Sequence, residues 1–258
     1  SALCGRPPGA RRRLSTEMIT SPHNDRLKEV RKLADRRWRD KTRRFVAEGE
    51  DLVEAGWDPV ARLVAAGSGL DGEEVEPALL AEVSSLGSGT RALGIYEQRW
   101  LEAPAGPRCV ALWEVHDPGN VGTVLRSGLA FGASSVALGP GCADPYGPKA
   151  VRASMGAIFG VPLARFTGLD QLPRPIVALA AGRGAPLHAG VWPRPAQVGA
   201  THLPAPVTLL VGGERLGLPD EVLEAADVVA HIEMDAGESL NAAMAATVAL
   251  YEVHRMAR

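Results

Sequence analysis

The sequence predicts an α/β protein of two domains, a small N-terminal α/β domain and a larger C-terminal domain built on a parallel sheet. Three observations lead to this fold class. The chain has 258 residues, more than one compact core usually holds. Apolar segments of strand length alternate with helical patterns along its length. Proline and glycine interrupt residues 99–108 as in a linker. We therefore place the boundary near residue 105, between domains of residues 18–104 and 105–258.

The first domain begins with a predicted helix over residues 24–40. Its apolar residues Leu27, Val30, Leu33 and Trp38 recur at helical spacing with basic residues between them. Such a helix packs by one stripe and exposes a positive face. Apolar runs bounded by turn residues predict the remaining elements: strands at 45–49, 60–66 and 92–97, and helices at 50–55 and 77–84.

The second domain alternates apolar runs with helical patterns, as a parallel α/β sheet does. Continuous apolar runs are typical of strands that are buried on both faces. They predict strands at 109–114, 135–138, 176–181, 207–211 and 228–232, and helices at 121–131, 148–159, 219–225 and 239–255. Ligands of such sheets bind at the carboxyl ends of the strands, so we expect a site there.

Composition excludes several classes of protein. The apolar fraction of 46% and the charged fraction of 22% indicate a folded, soluble chain, although residues 1–17 are predicted to form a disordered arm. The cysteines Cys4, Cys109 and Cys142 lie far apart without C-x-x-C spacing, which supports neither a disulfide framework nor a metal site. No apolar run approaches the roughly 20 residues that span a bilayer. We therefore expect a cytoplasmic protein that binds neither metal nor membrane.

Positive charge is concentrated in one segment, although the net charge is only -2. Residues 26–44 contain ten basic residues, and only four acidic ones lie in or next to that range. Such a surplus attracts polyanions by neutralising phosphates and releasing counterions, which predicts RNA binding. The alternative is a solvated helix face, which is what most charge runs are. The candidate RNA contacts in this segment are Arg31, Lys32, Arg36, Arg37, Arg43 and Arg44.

The first of three glycine-bearing motifs runs from Asp117 through Asn120 and Gly122 to Arg126. It joins a predicted strand to a helix whose first N–H groups would be unpaired, and a phosphate or carboxylate would be stabilised there. Arg126 would offer its planar, charged guanidinium to a phosphate oxygen. The alternative is a tight strand-to-helix turn followed by a surface arginine.

The second motif, Val211-Gly212-Gly213-Glu214, follows another predicted strand. Paired glycines let the backbone approach a flat ligand closely, and Glu214 would face the same crevice. In the alternative, Glu214 pairs on the surface with Arg215 or Arg194. Neither a Walker loop nor a Rossmann glycine pattern is present, which argues against nucleotide hydrolysis and nicotinamide binding.

The third motif is the most specific of the three. Apolar Ile232 and Met234 lead to Gly237 and then to Ser239-Leu240-Asn241, which precede an alanine-rich helix. Small residues permit close packing of this helix. Serine is a favoured N-cap, so Ser239 has a structural explanation beside a ligand-binding one, and the two are compatible.

Together these three motifs resemble those of the SpoU/TrmH branch of the SPOUT RNA methyltransferases. The resemblance extends from about residue 109 to the C-terminus and includes the stretch 144–154, with Lys149 and Arg152 as further candidate RNA contacts. Residues 24–97 resemble, more loosely, the ribosomal-protein-like substrate-binding domain of rRNA-directed members. The sequence departs from the family pattern at Asp117, Gly213 and Glu233.

The resemblance implies S-adenosylmethionine-dependent methylation of a ribose 2'-hydroxyl in RNA, most directly in large-subunit rRNA. It also implies a homodimer formed through the C-terminal domain, which would contain a trefoil knot. Two alternatives remain open: a tRNA 2'-O-methyltransferase, or a non-catalytic RNA-binding or ribosome assembly factor. The implied cofactor contacts are Gly212, Gly213, Ile232, Met234, Ser239 and Leu240, and the implied catalytic group is Asn120, Arg126, Glu214, Ser239 and Asn241.

The methyl donor is already activated, so the enzyme has to align donor and hydroxyl and favour loss of the hydroxyl proton. A guanidinium stays protonated in proteins, so we expect Arg126 to anchor a phosphate and stabilise the developing alkoxide instead of acting as a base. Glu214 or a bound water is then the candidate proton acceptor.

Overall fold

The computed structural model describes residues 17–187, 207–214 and 216–256, which form two β-sheets with helices packed on them. We call residues 17–97 the N-terminal half and residues 108–256 the C-terminal half. The predicted disordered arm lies outside the described residues apart from its last residue. Within these ranges, no helix has the length and apolar character needed to cross a membrane.

The N-terminal half contains a four-stranded sheet with strand order β1-β4-β2-β3. Strand β4 runs antiparallel to both β1 and β2, whereas β3 runs parallel to β2. Leu27, Val30 and Leu33 are buried in the core beneath this sheet, as their helical spacing predicts. The elements are α1 (Asp25–Leu33), α2 (Arg36–Thr42), β1 (Arg44–Glu48), α3 (Glu50–Ala55), β2 (Ala61–Ala65), β3 (Glu73–Val75), α4 (Pro77–Val83) and β4 (Ala92–Glu97).

The prediction of one helix over residues 24–40 is wrong, because α1 ends at Leu33 and α2 begins at Arg36. Asp35 separates them by accepting a 2.8 Å hydrogen bond from the backbone N–H of Arg37, which makes it the N-cap of α2. Helix α2 then ends at Arg43, whose φ of 57° is left-handed. Strand β3, with three residues, was missed because it is too short to show a period.

The C-terminal half contains a seven-stranded parallel sheet with strand order β7-β6-β5-β10-β8-β11-β9. All seven strands therefore end at the same edge. The strands are β5 (Arg108–Trp113), β6 (Ser135–Leu138), β7 (Leu163–Arg165), β8 (Ile176–Leu179), β9 (Ala185–Pro186), β10 (Val207–Gly212) and β11 (Val228–His231). The helices are α5 (Pro118–Ala130), α6 (Pro148–Ala153), α7 (Ala157–Gly160), α8 (Asp220–Glu224) and α9 (Ala242–Met256), with a short 3-10 turn at Leu169–Gln171.

Three predicted helices of this half differ from the structure. The helix predicted over 121–131 begins three residues earlier, at Pro118, with Asp117 as its N-cap. The helix over 148–159 is split into α6 and α7, since Met155 and Gly156 take left-handed φ values of 48° and 87° between them. The last helix begins at Ala242, three residues later than predicted, because Gly237 and the residues after it remain in a loop. Strands β7 and β9 were not predicted, and both are short.

The two halves pack directly against each other. Phe45 of β1 lies 4.6 Å from Tyr146 of the C-terminal half, measured between ring centroids, and Trp57 lies 5.0 Å from Phe159. Arg39 of α2 forms an ion pair with Asp144 at 2.8 Å, and both side chains are buried. This contact joins the basic helices to the segment that leads into α6.

Candidate functional site

A cavity of about 370 Å³ lies at the carboxyl ends of β8, β10 and β11. The last residues of these strands, Leu179, Gly212 and His231, all line it. Its volume is within the range of small-molecule sites, and its position is where a parallel sheet binds ligands. The other lining residues are Ala180, Ala181, Arg183, Val211, Gly213, Glu214, Leu216, Gly217, Leu218, Leu223, Ile232, Met234, Glu238, Ser239, Leu240, Ala242 and Ala245.

Bare backbone forms one wall of this cavity. The chain turns back after β10, so that the N–H of Gly217 donates a 3.0 Å hydrogen bond to the carbonyl of Gly213. A Cβ on Gly212 would lie 2.7 Å from the backbone nitrogen of Leu218, which leaves no room for a side chain there. Glycine at this position therefore keeps the loop against the strand end and exposes main-chain polar groups to a ligand.

The rest of the cavity combines apolar side chains with polar groups. Val211, Ile232, Met234 and Leu240 give it apolar surface, and Leu240 is 39% exposed. The lining also includes the charged residues Arg183, Glu214 and Glu238, together with His231 and Ser239. Such a lining suits a ligand that has both apolar surface and polar or charged groups.

Asn120, Glu214 and Asn241 form a hydrogen-bonded cluster beside the cavity, which joins all three motifs. The amide nitrogen of Asn241 donates to the side-chain oxygen of Asn120 at 3.1 Å, and the amide nitrogen of Asn120 donates to the Glu214 carboxylate. Glu214 itself lines the cavity. Arg215 and Arg194, its alternative partners, lie outside the described residues. The carboxylate is thus held by an amide at the rim of the cavity.

Asn241 also caps helix α9. Its side-chain oxygen accepts hydrogen bonds from the backbone N–H groups of Ala243 at 3.0 Å and Met244 at 3.3 Å. The N-cap interpretation of Ser239 is therefore wrong, since Asn241 satisfies these donors. Ser239 is exposed in the preceding loop and lines the cavity.

The start of α5 differs from the expectation of unpaired N–H groups. Asp117 accepts a hydrogen bond from the backbone N–H of Gly119 with its side chain, and Lys149 pairs with the same carboxylate at 3.0 Å. The hydrogen bond from Lys149 and that from Gly119 lower the pKa of Asp117. Because the helix start already has its anion, a phosphate is not required there. Asp117 instead fixes the turn that carries Asn120.

Arg126 takes no part in the hydrogen-bonded cluster of Asn120, Glu214 and Asn241. It is exposed on α5 and does not line the cavity. Within the described ranges its guanidinium has neither a hydrogen bond nor an ion pair. Helix α9 packs beside this helix, as the 2.6 Å hydrogen bond between Ser127 and Thr247 shows. The outer surface of the two helices also exposes apolar side chains, namely Leu129, Met244 and Tyr251.

The predicted RNA contacts divide into paired and unpaired side chains. Arg31 pairs with Glu82 at 2.9 Å, and Arg44 pairs with Glu29 at 2.7 Å. Lys32 stacks over Trp38, and its ammonium lies 4.8 Å from the ring centroid. In the part of the chain that the structure describes, Arg37 and Arg43 form no ion pair. Of the rest, Arg36 pairs with Asp40, Lys149 with Asp117, and Arg152 donates to the hydroxyl of Ser85.

Several cavity residues were not predicted from the sequence. Arg183 follows β8, and His231 is the last residue of β11. Their positions at the carboxyl ends of predicted strands were the sequence signal that could have identified them.

Cys109 and Cys142 are both free and buried, and burial raises the pKa of both thiols. Among the described residues, no cluster of three or more His, Cys, Asp or Glu is placed to hold a metal.

Two family models match the chain in separate regions. The model of the SpoU rRNA Methylase family matches residues 107–251, which contain the cavity and all three motifs. The model of the MRM3-like substrate binding domain matches residues 24–86, which contain the basic helices and most of the four-stranded sheet. The SpoU model alone covers more than half of the chain.

Individual proteins show the same similarity. A ribosomal RNA small subunit methyltransferase G 2 of Syntrophobacter fumaroxidans is 34% identical over 94% of this chain, which spans about half (50%) of that protein's length. The 23S rRNA (guanosine(2553)-2'-O)-methyltransferase RlmP of Bacillus subtilis is 26% identical over 92% of this chain and 99% of its own. The crystal structure of an AdoMet-bound rRNA methyltransferase from Sinorhizobium meliloti matches with a TM-score of 0.77 and 29% identity, covering 93% of this chain and 97% of that one.

Proposed function

The chain belongs to the SpoU rRNA methylase family, and on that basis we propose that it transfers the methyl group of S-adenosylmethionine to a ribose 2'-hydroxyl of RNA, most directly of large-subunit rRNA. One observation carries the proposal. The cavity at the strand ends adjoins the Asn120–Glu214–Asn241 cluster, so a donor site and a polar group for the acceptor lie side by side.

The residues of the cavity fit the donor. Ile232 and Leu240 offer apolar surface to an adenine ring, and the bare backbone at Gly212 and Gly213 offers hydrogen bonds to its edge and to the ribose. Met234 and Ser239 would complete this contact set. S-adenosylmethionine supplies an activated methyl group on a positively charged sulfur, and Glu214 and Glu238 bring negative charge to the lining of the cavity.

The protein's own residues would handle the acceptor. Glu214 is held by the amide of Asn120 at the rim, where its carboxylate can take the proton of the ribose hydroxyl directly or through a water. Asn241 fixes Asn120 in turn, so the three side chains hold a single arrangement. Arg126 would bind the phosphate next to the target ribose and stabilise the alkoxide as it forms.

We place that arginine in the partner subunit of a homodimer. Arg126 and Leu129 lie one turn apart on α5, and Met244 and Tyr251 lie two turns apart on the neighbouring α9. The three apolar side chains are 50%, 53% and 49% exposed. Large apolar side chains grouped in this way are typical of protein interfaces, and a second copy would cover them. A dimer through this face carries each Arg126 into the neighbourhood of the other subunit.

The N-terminal half would hold the RNA. Arg37 and Arg43 are unpaired among the described residues and lie on or next to α2, beside Lys32 and Arg36. Because such contacts neutralise phosphates, they add affinity without reading sequence. We further propose that residues 18–104 and 105–258 are the two domains, that the second contains a trefoil knot as in its family, and that the protein works in the cytoplasm, where rRNA is its substrate.

A direct test measures methyl transfer from labelled S-adenosylmethionine to rRNA, followed by mapping of 2'-O-methyl positions. We expect Arg126→Ala and Arg126→Lys both to lose turnover. The lysine ammonium keeps the charge, but it cannot form the paired hydrogen bonds of a planar guanidinium. Unchanged turnover in both variants would reject the role of Arg126. Methylation of tRNA alone would replace the proposed substrate class.

Donor binding separates the enzyme from a non-catalytic assembly factor. A ligand that binds only the folded state raises the melting temperature, so S-adenosylmethionine should stabilise the protein. Absence of any stabilisation at millimolar donor would favour the factor.

A mixing experiment tests the dimer. Combining Arg126→Ala subunits with Glu214→Ala subunits should restore activity, since one site of each mixed dimer then has both residues. Failure to recover would place Arg126 within its own subunit's site.

A further inference from the structure

A second groove, of about 260 Å³, lies where the two halves of the chain meet. Trp57 of the N-terminal half lines it from one side, and Phe159 and Leu163 of the C-terminal half line it from the other. Trp100 and Arg99, in the connection between the halves, also line it. The groove is separate from the donor cavity, because the two share no lining residue.

Each tryptophan in this groove carries an arginine on its face. The guanidinium carbon of Arg99 lies 4.0 Å from the ring centroid of Trp57, and that of Arg165 lies 4.4 Å from the ring centroid of Trp100. Both tryptophans are half-buried, whereas both arginines are exposed. Solvent therefore reaches the two guanidinium groups, whereas the indoles beneath them are partly enclosed by protein.

Neighbouring groups hold the two indoles rigidly. Trp57 packs edge-on against Phe159 at 5.0 Å, and Trp100 packs edge-on against Tyr146 at 5.3 Å. The indole nitrogen of Trp100 donates to Gln98 at 3.0 Å, whereas that of Trp57 is buried without a partner among the described residues. Such a buried donor is costly unless it finds an acceptor.

Charge decides which kind of ligand suits this groove. Arg99 has no ion-pair partner among the described residues, and Arg165 has only the exposed Asp40 at 3.5 Å. Aromatic faces beside arginines form the sites on which unpaired bases stack, because every base has a flat π-face and each is attached to a phosphate. A protein or lipid partner would require neither paired flat faces nor paired guanidinium groups.

We propose that this groove binds two unpaired nucleotides of the RNA substrate, one base stacking on Trp57 and one on Trp100. Each arriving base displaces the guanidinium from its indole, and Arg99 and Arg165 then bind the adjoining phosphates. The inference rests on the proposed function, since it names the form of RNA that the enzyme recognises. The groove between the two halves would thus be a second RNA contact, in addition to the basic surface of α1 and α2.

The test measures binding of a short oligouridine and of a duplex RNA to the full chain. Stacking on indoles should quench tryptophan fluorescence with the oligouridine and much less with the duplex, whose bases are already stacked. Arg99→Ala/Arg165→Ala should weaken oligouridine binding by about tenfold and reduce the salt dependence by about one to two phosphate contacts. Arg91→Ala/Arg174→Ala removes the same charge from exposed arginines elsewhere and should change affinity by less than about threefold.

Trp57→Phe and Trp100→Phe identify the source of the quenching, and their melting temperatures show whether they remain folded. Should Trp57→Phe not fold, Trp100→Phe and the double arginine variant still test the groove. The proposal is overturned if the double arginine variant binds oligouridine as tightly as the wild type does. It is also overturned if Trp100→Phe shows the same fluorescence quenching as the wild type. Donor-dependent methylation by the wild type, measured in parallel, reports on the proposed function separately.

Discussion

Removal of the Asp144 side chain should destabilise the protein more than removal of any exposed ion-pair partner. The Nε atom of Arg39 lies 2.8 Å from the Asp144 carboxylate, and the two side chains are only 6% and 8% exposed. Nη1 of Arg39 also donates to the carbonyls of Leu33 and Ala34, each at 2.8 Å. In Asp144→Ala the guanidinium keeps its charge and these two bonds but loses its counter-ion inside the protein.

An uncompensated buried charge costs about 3–5 kcal/mol of unfolding free energy, which we expect for Asp144→Ala. The two carboxylate oxygens of Asp144 accept from Arg39 and from the backbone N–H of Tyr146. Asp144→Asn retains the size and one of these acceptors, so we expect a smaller loss, about 1.5–3 kcal/mol. Urea denaturation followed by tryptophan fluorescence measures both values. The double variant Arg39→Met/Asp144→Asn should recover part of the loss, because it leaves no full charge at this position.

The control is Arg255→Ala, which breaks a pair of the same length. Arg255 and Glu252 are also separated by 2.8 Å, but the arginine side chain is 57% exposed. Solvent screening leaves such an exposed pair with little net effect on stability. If Asp144→Ala costs no more than Arg255→Ala, burial does not set the strength of these pairs, and the reasoning fails.

Three further results are expected. Burial raises the pKa of Tyr146 to about 12, so the stability that its neutral hydroxyl contributes is complete below pH of about 10 and is lost as pH rises toward 12. Over this range the free energy of unfolding, measured by urea denaturation, should fall by roughly 2–3 kcal/mol more in the wild type than in Tyr146→Phe. Asp117 has a lowered pKa, so the stability that its carboxylate contributes is present above its ordinary pKa and is lost as pH falls. Because its side chain is half-exposed, Asp117→Asn should reduce the acid-induced fall in the free energy of unfolding by less than about 1 kcal/mol. Gly212→Ala should lower stability by about 1–3 kcal/mol and weaken S-adenosylmethionine binding in calorimetry, whereas Gly160→Ala, whose new Cβ meets the flexible end of Leu129, should do neither; equal donor affinity in both variants would contradict the close approach at Gly212.

The sequence predicted the strands of both sheets well where apolar runs were long. Strands such as β5 and β10 lie inside the seven-stranded sheet, so they are apolar on both faces and stand out from their surroundings. The short strands β3, β7 and β9 have two or three residues each, which is too few for any period. Helix breaks at Asp35 and at Met155–Gly156 depend on single residues within otherwise helical patterns, which apolar spacing does not register.

For the site, the sequence predicted lining residues better than their partners. Gly212, Ile232, Met234 and Leu240 follow or end strands, so a shared sheet edge places them together. The hydrogen bond between Asn120 and Glu214 joins residues 94 positions apart, and only the fold reveals it. Likewise, the sequence predicts a free helix start at α5, but the Asp117 side chain accepts from the N–H of Gly119 there. The ion pair that holds Asp117 in place involves Lys149 of a different helix, so only the fold reveals it. Residue type indicated the chemistry, whereas tertiary contacts determined which groups remain available.

The contact between Arg39 and Asp144 has a consequence for how a substrate is chosen. Helix α6 begins at Pro148, four residues after Asp144. Its Lys149 pairs with Asp117 at the start of α5, and α5 carries Asn120, which donates to Glu214. These contacts connect the basic helices to the edge of the cavity through α6 and α5, which sets the distance between them. Under the proposed function, an RNA bound by the basic helices presents to the cavity the ribose that its folded shape places at that distance. The choice of target nucleotide then depends more on the three-dimensional shape of the RNA than on its nucleotide sequence.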